Sequence, residues 1–128
     1  MRALLDTHVL LFAVYEPQRL GPKARQLLLH RDVRLYWSIA SSWEIAIKVA
    51  LGKLRLDGPL REVLSEELLR GGYTLLPIDH AHVLAVADLP RLHGDPFDRL
   101  LVAQALHDGL PIVSGDGHLA AYGIEVIW

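Results

Sequence analysis

Five short apolar runs separated by helix-length segments constrain this chain more than any other feature. Residues 2–6, 34–38, 73–76, 110–114 and 124–128 each have the length and the apolar, β-branched or aromatic content of a strand. Between them lie Thr7 to Tyr15, Pro22 to about His30, Trp43 to Leu51, Leu60 to Arg70, His80 to Leu89 and Pro96 to Asp108, all of helical length. Strand alternating with helix predicts an α/β fold, in which a parallel sheet of about five strands carries helices on both faces. The chain has 128 residues and no linker, repeat or low-complexity segment, so residues 1–128 read as a single domain.

Cap residues punctuate the helices. Asp95 precedes Pro96, which makes Asp95 an N-cap, Pro96 the first helical residue and Asp98 the third; Gly109 follows the other end. Leu100, Leu101, Ala103, Gln104 and Ala105 suit a helix covered on most sides. Ser41-Ser42 offers an N-cap for Trp43 to Leu51, which places Glu44 in that helix's first turn, four residues before Lys48. Asp79 caps His80 to Leu89, with Ala81, Val83, Leu84, Val86 and Ala87 expected in the core. Leu60, Val63, Leu64 and Leu68 form one apolar face opposite Arg61, Glu62, Glu66 and Glu67.

Composition narrows the function classes. A hydrophobic content of 52% with 22% charged residues is that of a globular domain. No cysteine occurs, which excludes disulfides, thiolate catalysis and cysteine-ligated zinc, and fits a cytoplasmic protein. Asp6 and His8 interrupt the first apolar run before a signal peptide could form, and no uncharged stretch reaches membrane-spanning length. The formal net charge of −2 argues against a globally basic nucleic-acid binder. A polyanionic substrate would therefore need a local cationic patch or a bound metal ion.

The acids are placed to supply the second of these. In an open parallel sheet the ligand crevice lies beyond the carboxyl ends of the strands, where strand order reverses. Asp6 follows the first strand, Asp116 follows the strand at 110–114, and Glu44 and Asp98 begin helices expected at the same edge. Each has an ordinary reading as a cap or turn residue. Together they would repel one another unless a cation sat among them, and oxygen-only donors select magnesium or manganese over zinc. His8, His93 and His118 fall near this rim, whereas His30, His80, His82 and His107 read as surface or helix-end residues. The chain has no HExxH zinc motif, no GxSxG elbow and no GxxxxGK[ST] phosphate loop.

Four blocks resemble the PIN-domain nucleases, specifically the VapC-like toxins of type II toxin-antitoxin pairs. They are Leu4-Leu5-Asp6-Thr7-His8, residues 41–48 from Ser41 through Trp43-Glu44 to Lys48, residues 95–105 from Asp95-Pro96-Phe97-Asp98 to Ala105, and Ser114-Gly115-Asp116. They occur in the family's order over essentially the whole chain. Ser114 stands where threonine is frequent, so the hydroxyl is kept. The resemblance implies a PIN-like fold and a Mg2+-dependent endoribonuclease, with Mn2+ as an alternative ion. It implies an acidic catalytic and metal-binding cluster of Asp6, Glu44, Asp98 and Asp116, with Asp6 and Asp98 as the surest ligands and Asp95 as a cap. It also implies an RNA substrate, a cognate antitoxin protein and a homodimer, with Lys48, Lys53, Arg55, Arg91 and Arg99 as candidates for phosphate contact. The exposed faces around residues 41–70, including Leu51, Leu54 and Leu56, are where an antitoxin would be sought.

Three other readings use the same acids, of which a haloacid-dehalogenase-like phosphatase would need Asp-x-Asp where the chain has Asp6-Thr7-His8. A phosphoacceptor receiver-like domain, a non-catalytic acidic-pocket switch, would need a second acid beside Asp6 and a lysine after a late strand. Thr7 follows Asp6, and no lysine occurs after Lys53. A PIN-like scaffold that only binds partners would keep the fold without turnover.

Overall fold

The computed structural model describes residues 1–92 and 94–128; His93 lies outside the described residues. Five parallel strands form one sheet: β1 (Arg2–Leu5), β2 (Arg34–Ser38), β3 (Thr74–Leu76), β4 (Ile112–Val113) and β5 (Val126–Ile127), in the order β3-β2-β1-β4-β5. Six α-helices connect them: α1 (Thr7–Tyr15), α2 (Pro22–Leu29), α3 (Ile39–Ala50), α4 (Leu60–Gly71), α5 (His80–Ala85) and α6 (Pro96–Asp108). Short 3-10 turns cover Pro17–Arg19, Val86–Asp88 and Gly117–Tyr122.

Two cores flank the sheet, because the strands alternate their side chains between its faces. Leu4, Ile112, Leu101, Val102 and Tyr122 fill one side. Ala3, Leu5, Leu35, Trp37 and Ile45 fill the other. Both faces are therefore dry, which is why β1 reads as a continuous apolar run rather than an alternating one. Strand order runs outward in both directions from β1, so the chain reverses between β1 and β4. That is the switch point at which a crevice opens beyond the strand ends.

Three local expectations change. Helix α3 starts at Ile39 with Ser38 as its N-cap, because the Ser38 hydroxyl accepts from Ala40 N at 3.0 Å. Ser42 instead accepts from the Trp37 indole at 2.8 Å, and Glu44 belongs to the second turn of α3 rather than the first. Helix α5 ends at Ala85, and Val83 and Leu84 are exposed rather than in the core. Its inward residue is His82, fully buried and not on the surface, for the reason given below. Leu54 and Leu56 are partly buried against the core that holds Ala3 and Leu5, whereas Leu51 is exposed, and Ile45, Leu56, Val63 and Leu64 line an apolar pocket with Leu10, Leu11 and Val14 on the 41–70 face. Among the described residues, no helix is long and apolar enough to cross a membrane.

Candidate active site at the strand-order reversal

Asp6 sits at the carboxyl end of β1 and caps α1, its Oδ1 accepting from Thr7 N at 2.7 Å. Its Oδ2 accepts from Ser114 Oγ at 2.7 Å, across the β1–β4 seam. The residue is 4% exposed, and those donors hold the buried carboxylate in one orientation. Glu44 is also buried. Thr7 Oγ1 donates to Glu44 Oε1 at 2.8 Å and lies 2.8 Å from Ser41 Oγ, so α1 and α3 are tied at this point. Lys48 Nζ donates to Glu44 Oε2 at 2.6 Å. That hydrogen bond raises the Lys48 pKa above the usual lysine value; partial burial opposes it, and the charges of Glu44, Asp95 and Asp98 reinforce it.

On α6, Asp95 Oδ1 accepts from Phe97 N at 2.8 Å and Asp98 N at 3.2 Å. Asp95 is thus the cap, as its place before Pro96 predicts, and Asp98 stands in the first turn. Helix α6 is fixed from behind by Gln104, fully buried, whose side chain accepts from Ser38 Oγ at 2.6 Å and donates to Pro77 O at 3.2 Å. Asp6, Glu44, Lys48, Asp95 and Asp98 line one pocket of about 230 Å³ together with Thr7, His8 and Leu11.

Asp116 lies on the bend after β4. Its backbone N–H donates to Ser114 Oγ at 2.9 Å, and its carboxylate accepts from His118 N at 3.0 Å. It lines an adjacent pocket that shares His8 with the first. His8 bridges the two: Gly115 N donates to its Nε2 at 3.0 Å, which leaves the proton on Nδ1, 3.5 Å from Asp6 Oδ2. Three of the four acids expected at the rim therefore share a pocket, and the fourth stands next door.

The donor set fits a hard divalent cation, being carboxylates and hydroxyls without sulfur. Among the described residues, the group of three or more acidic or imidazole donors within 4.8 Å of one another is His82, His107 and Asp108, not the rim acids, which stand farther apart. That cluster belongs to α5 and the far end of α6. Asp79 N donates to His82 Nδ1 at 3.0 Å, so the His82 proton is on Nε2, 3.2 Å from Asp108 Oδ1. The nitrogen facing the cluster is thus a donor, and buried His82 points inward to hydrogen-bond Asp108, with exposed His107 on the outer side of the same carboxylate.

Of the cations expected to meet phosphate, Lys48 is at the site. Arg99 is committed to Pro90 O at 2.8 Å and Val86 O at 3.1 Å. Lys53, Arg55 and Arg91 are exposed and line neither pocket. Arg19, which the sequence did not single out, lies beside Asp116, with its guanidinium carbon 4.1 Å from the Phe12 ring centre. Nothing local marks Arg19, because the 3-10 turn after α1 brings it there.

Residues 3–125 match the PIN domain family. The chain is similar to ribonuclease VapC22 of Mycobacterium tuberculosis, with 32% identity over 119 residues, covering 93% of this chain and 90% of that one. It is also similar to ribonuclease VapC16 of the same organism, with 43% identity over 54 residues, 41% of this chain and 38% of that one. In structure it resembles VapBC2 of Rickettsia felis, solved with a promoter DNA fragment, at a TM-score of 0.74 and 12% identity over 98% of this chain and 97% of that one. It also resembles FitAcB of Neisseria gonorrhoeae at a TM-score of 0.61 and 27% identity, over 98% and 96% of the two chains. The chain belongs to the PIN-domain family, and within it stands beside the VapC ribonucleases.

Proposed function

We propose that this chain is a metal-dependent endoribonuclease, the toxin of a toxin-antitoxin pair, using Asp6, Glu44, Asp98 and Asp116. The observation that carries the reading is the meeting of Asp6, Glu44 and Asp98 around one pocket at the strand-order reversal, with Asp116 adjoining. The ribonuclease relatives support the reaction class, and the VapBC assemblies support an antitoxin as partner. Asp6 and Asp98 would hold Mg2+ or Mn2+ directly. Glu44 and Asp116 would bind it directly or through water, or orient the nucleophile. Such an ion neutralises phosphate charge and acidifies water.

The protein's own share is orientation. Thr7 N and Ser114 Oγ fix the Asp6 carboxylate, and Lys48 with Thr7 fixes Glu44. Water would attack phosphorus in line with the 3'-oxygen, whose bond to phosphorus breaks and which takes up a proton; the substrate 2'-hydroxyl is not needed, and the products would carry 5'-phosphate and 3'-hydroxyl ends. Mapping the ends left on cleaved RNA tests this; cyclic phosphate ends would reject the mechanism. A homodimer accompanies the proposal as the family's common assembly.

A further inference from the structure

The pocket beside Asp116 has features that holding a metal ion does not require. It is open, about 400 Å³, and lined by His8, Phe12, Arg19, Gly115, Asp116 and Trp128. Three rings meet in it, with centres 5.2 Å apart for His8 and Phe12, 5.9 Å for His8 and Trp128, and 6.3 Å for Phe12 and Trp128. Arg19 stands over the Phe12 face and remains largely exposed, with a surface ion pair to Glu16 at 3.3 Å. Such a surface pair is weak and leaves the guanidinium available.

The Trp128 indole is held before anything binds. A Cβ on Gly115 would stand 3.1 Å from its ring and 3.4 Å from His8 Nε2, so the Gly115 backbone passes directly against both. Gly21 lies against both the Trp128 backbone and the five-membered side of its indole, and Trp128 O accepts from Lys23 N at 3.1 Å. A rigid ring loses little freedom when a flat ligand stacks on it.

Flat aromatic walls, a guanidinium and a carboxylate, one residue away from the acids through shared His8, form the chemistry that receives an unpaired nucleobase. We propose that this pocket is a base-binding subsite, in which Trp128 and Arg19 hold the base of a nucleotide flanking the cleaved phosphate. The proposal rests on the nuclease reading of the neighbouring acids. A base in a duplex cannot reach a pocket of this kind, so the subsite selects single-stranded RNA at the cleavage point. An apolar peptide side chain is disfavoured as the occupant, because Asp116 and Arg19 place opposite charges on the pocket rim.

The test compares binding and cleavage. Homo-octamers of rA, rC, rG and rU, and a ribose-phosphate octamer lacking bases, are titrated by fluorescence anisotropy into protein carrying Asp6→Asn, alone or combined with Arg19→Ala or Trp128→Phe. Cleavage of the homo-octamers is followed with the same subsite variants in the wild-type background. Arg19 is exposed, so its replacement leaves the fold intact, and thermal melting checks this for both variants. The expected result is that the tightest homo-octamer binds Arg19→Ala about tenfold more weakly, the scale of one stacked base, while the base-free octamer binds the variant almost as the parent does. In cleavage, KM for that octamer rises correspondingly.

Equal weakening for base-bearing and base-free octamers, or no weakening, overturns the subsite. If the subsite variants then cleave as wild type does, the nuclease reading stands without it. If wild-type protein neither binds nor cleaves any octamer, both readings fail together.

Discussion

Ser114 Oγ donates to Asp6 Oδ2 at 2.7 Å and at the same time accepts from Asp116 N at 2.9 Å. One buried hydroxyl just after β4 thus orients the carboxylate at the end of β1 and anchors the bend that carries Asp116. Groups that orient a metal ligand commonly contribute 10–100-fold to metal affinity. Ser114→Ala is expected to lower Mn2+ affinity about tenfold or more while the protein stays folded, and Ser114→Thr, which keeps the hydroxyl, to retain it. Calorimetric titration with Mn2+ reads both. Unchanged affinity in Ser114→Ala would remove Ser114 from the site's support.

Lys48 and Glu44 make a different prediction. The Glu44 carboxylate is buried and its Oε2 accepts from Lys48 Nζ. Lys48→Met leaves that carboxylate without its cation, which costs about 1 kcal/mol or more in the absence of metal. A divalent ion then compensates more charge, so the rise in melting temperature on adding Mn2+ is expected to be larger in Lys48→Met than in wild type. An equal or smaller rise would mean that Lys48 and the ion do not share the same field.

The hydrogen bonds at the far end of α6 make Asp108 one contributor to acid stability. Burial alone would raise the Asp108 pKa, but hydrogen bonds from His107 and His82 outweigh it and hold the carboxyl below the usual aspartate value. A carboxyl depressed in the folded state contributes stability above its unfolded pKa, about 3.9, and loses it as pH falls through the lower folded value. Urea midpoints measured from about pH 6 down to pH 3 should therefore fall less steeply below about pH 4 in Asp108→Asn than in wild type. Parallel curves would show that Asp108 does not contribute to the acid limb.

The elements that were legible in the sequence were those whose pattern is local. Asp95-Pro96 marks the start of α6, and each of the five apolar runs contains a strand, although those expected at 110–114 and 124–128 shorten to Ile112–Val113 and Val126–Ile127. The start of α3 was not legible, since Ser38, Ser41 and Ser42 are all competent caps. What separates them is distant: Thr7 lies against Ser41, and the Trp37 indole takes Ser42. His82 likewise looked exposed because Asp108, its partner, lies 26 residues away. Around the candidate site, Asp6 and Asp116 are legible as strand-end residues and Asp98 as a helix-start residue, whereas Glu44 stands in the second turn of α3 rather than at its start. The pocket joining Phe12, Arg19 and Trp128 was not legible, because it is assembled from the two ends of the chain.

The most direct test of the central claim is cleavage of single-stranded RNA by the purified protein with Mg2+ or Mn2+, with EDTA, and with Asp6→Asn and Asp98→Asn, both checked for folding by circular dichroism. Cleavage is expected to require the divalent ion and to fall by about two orders of magnitude or more in each variant, the scale on which removing a preorganised electrostatic group acts. Cleavage that persists in EDTA and in both folded variants would contradict a carboxylate-held metal as the centre of the reaction.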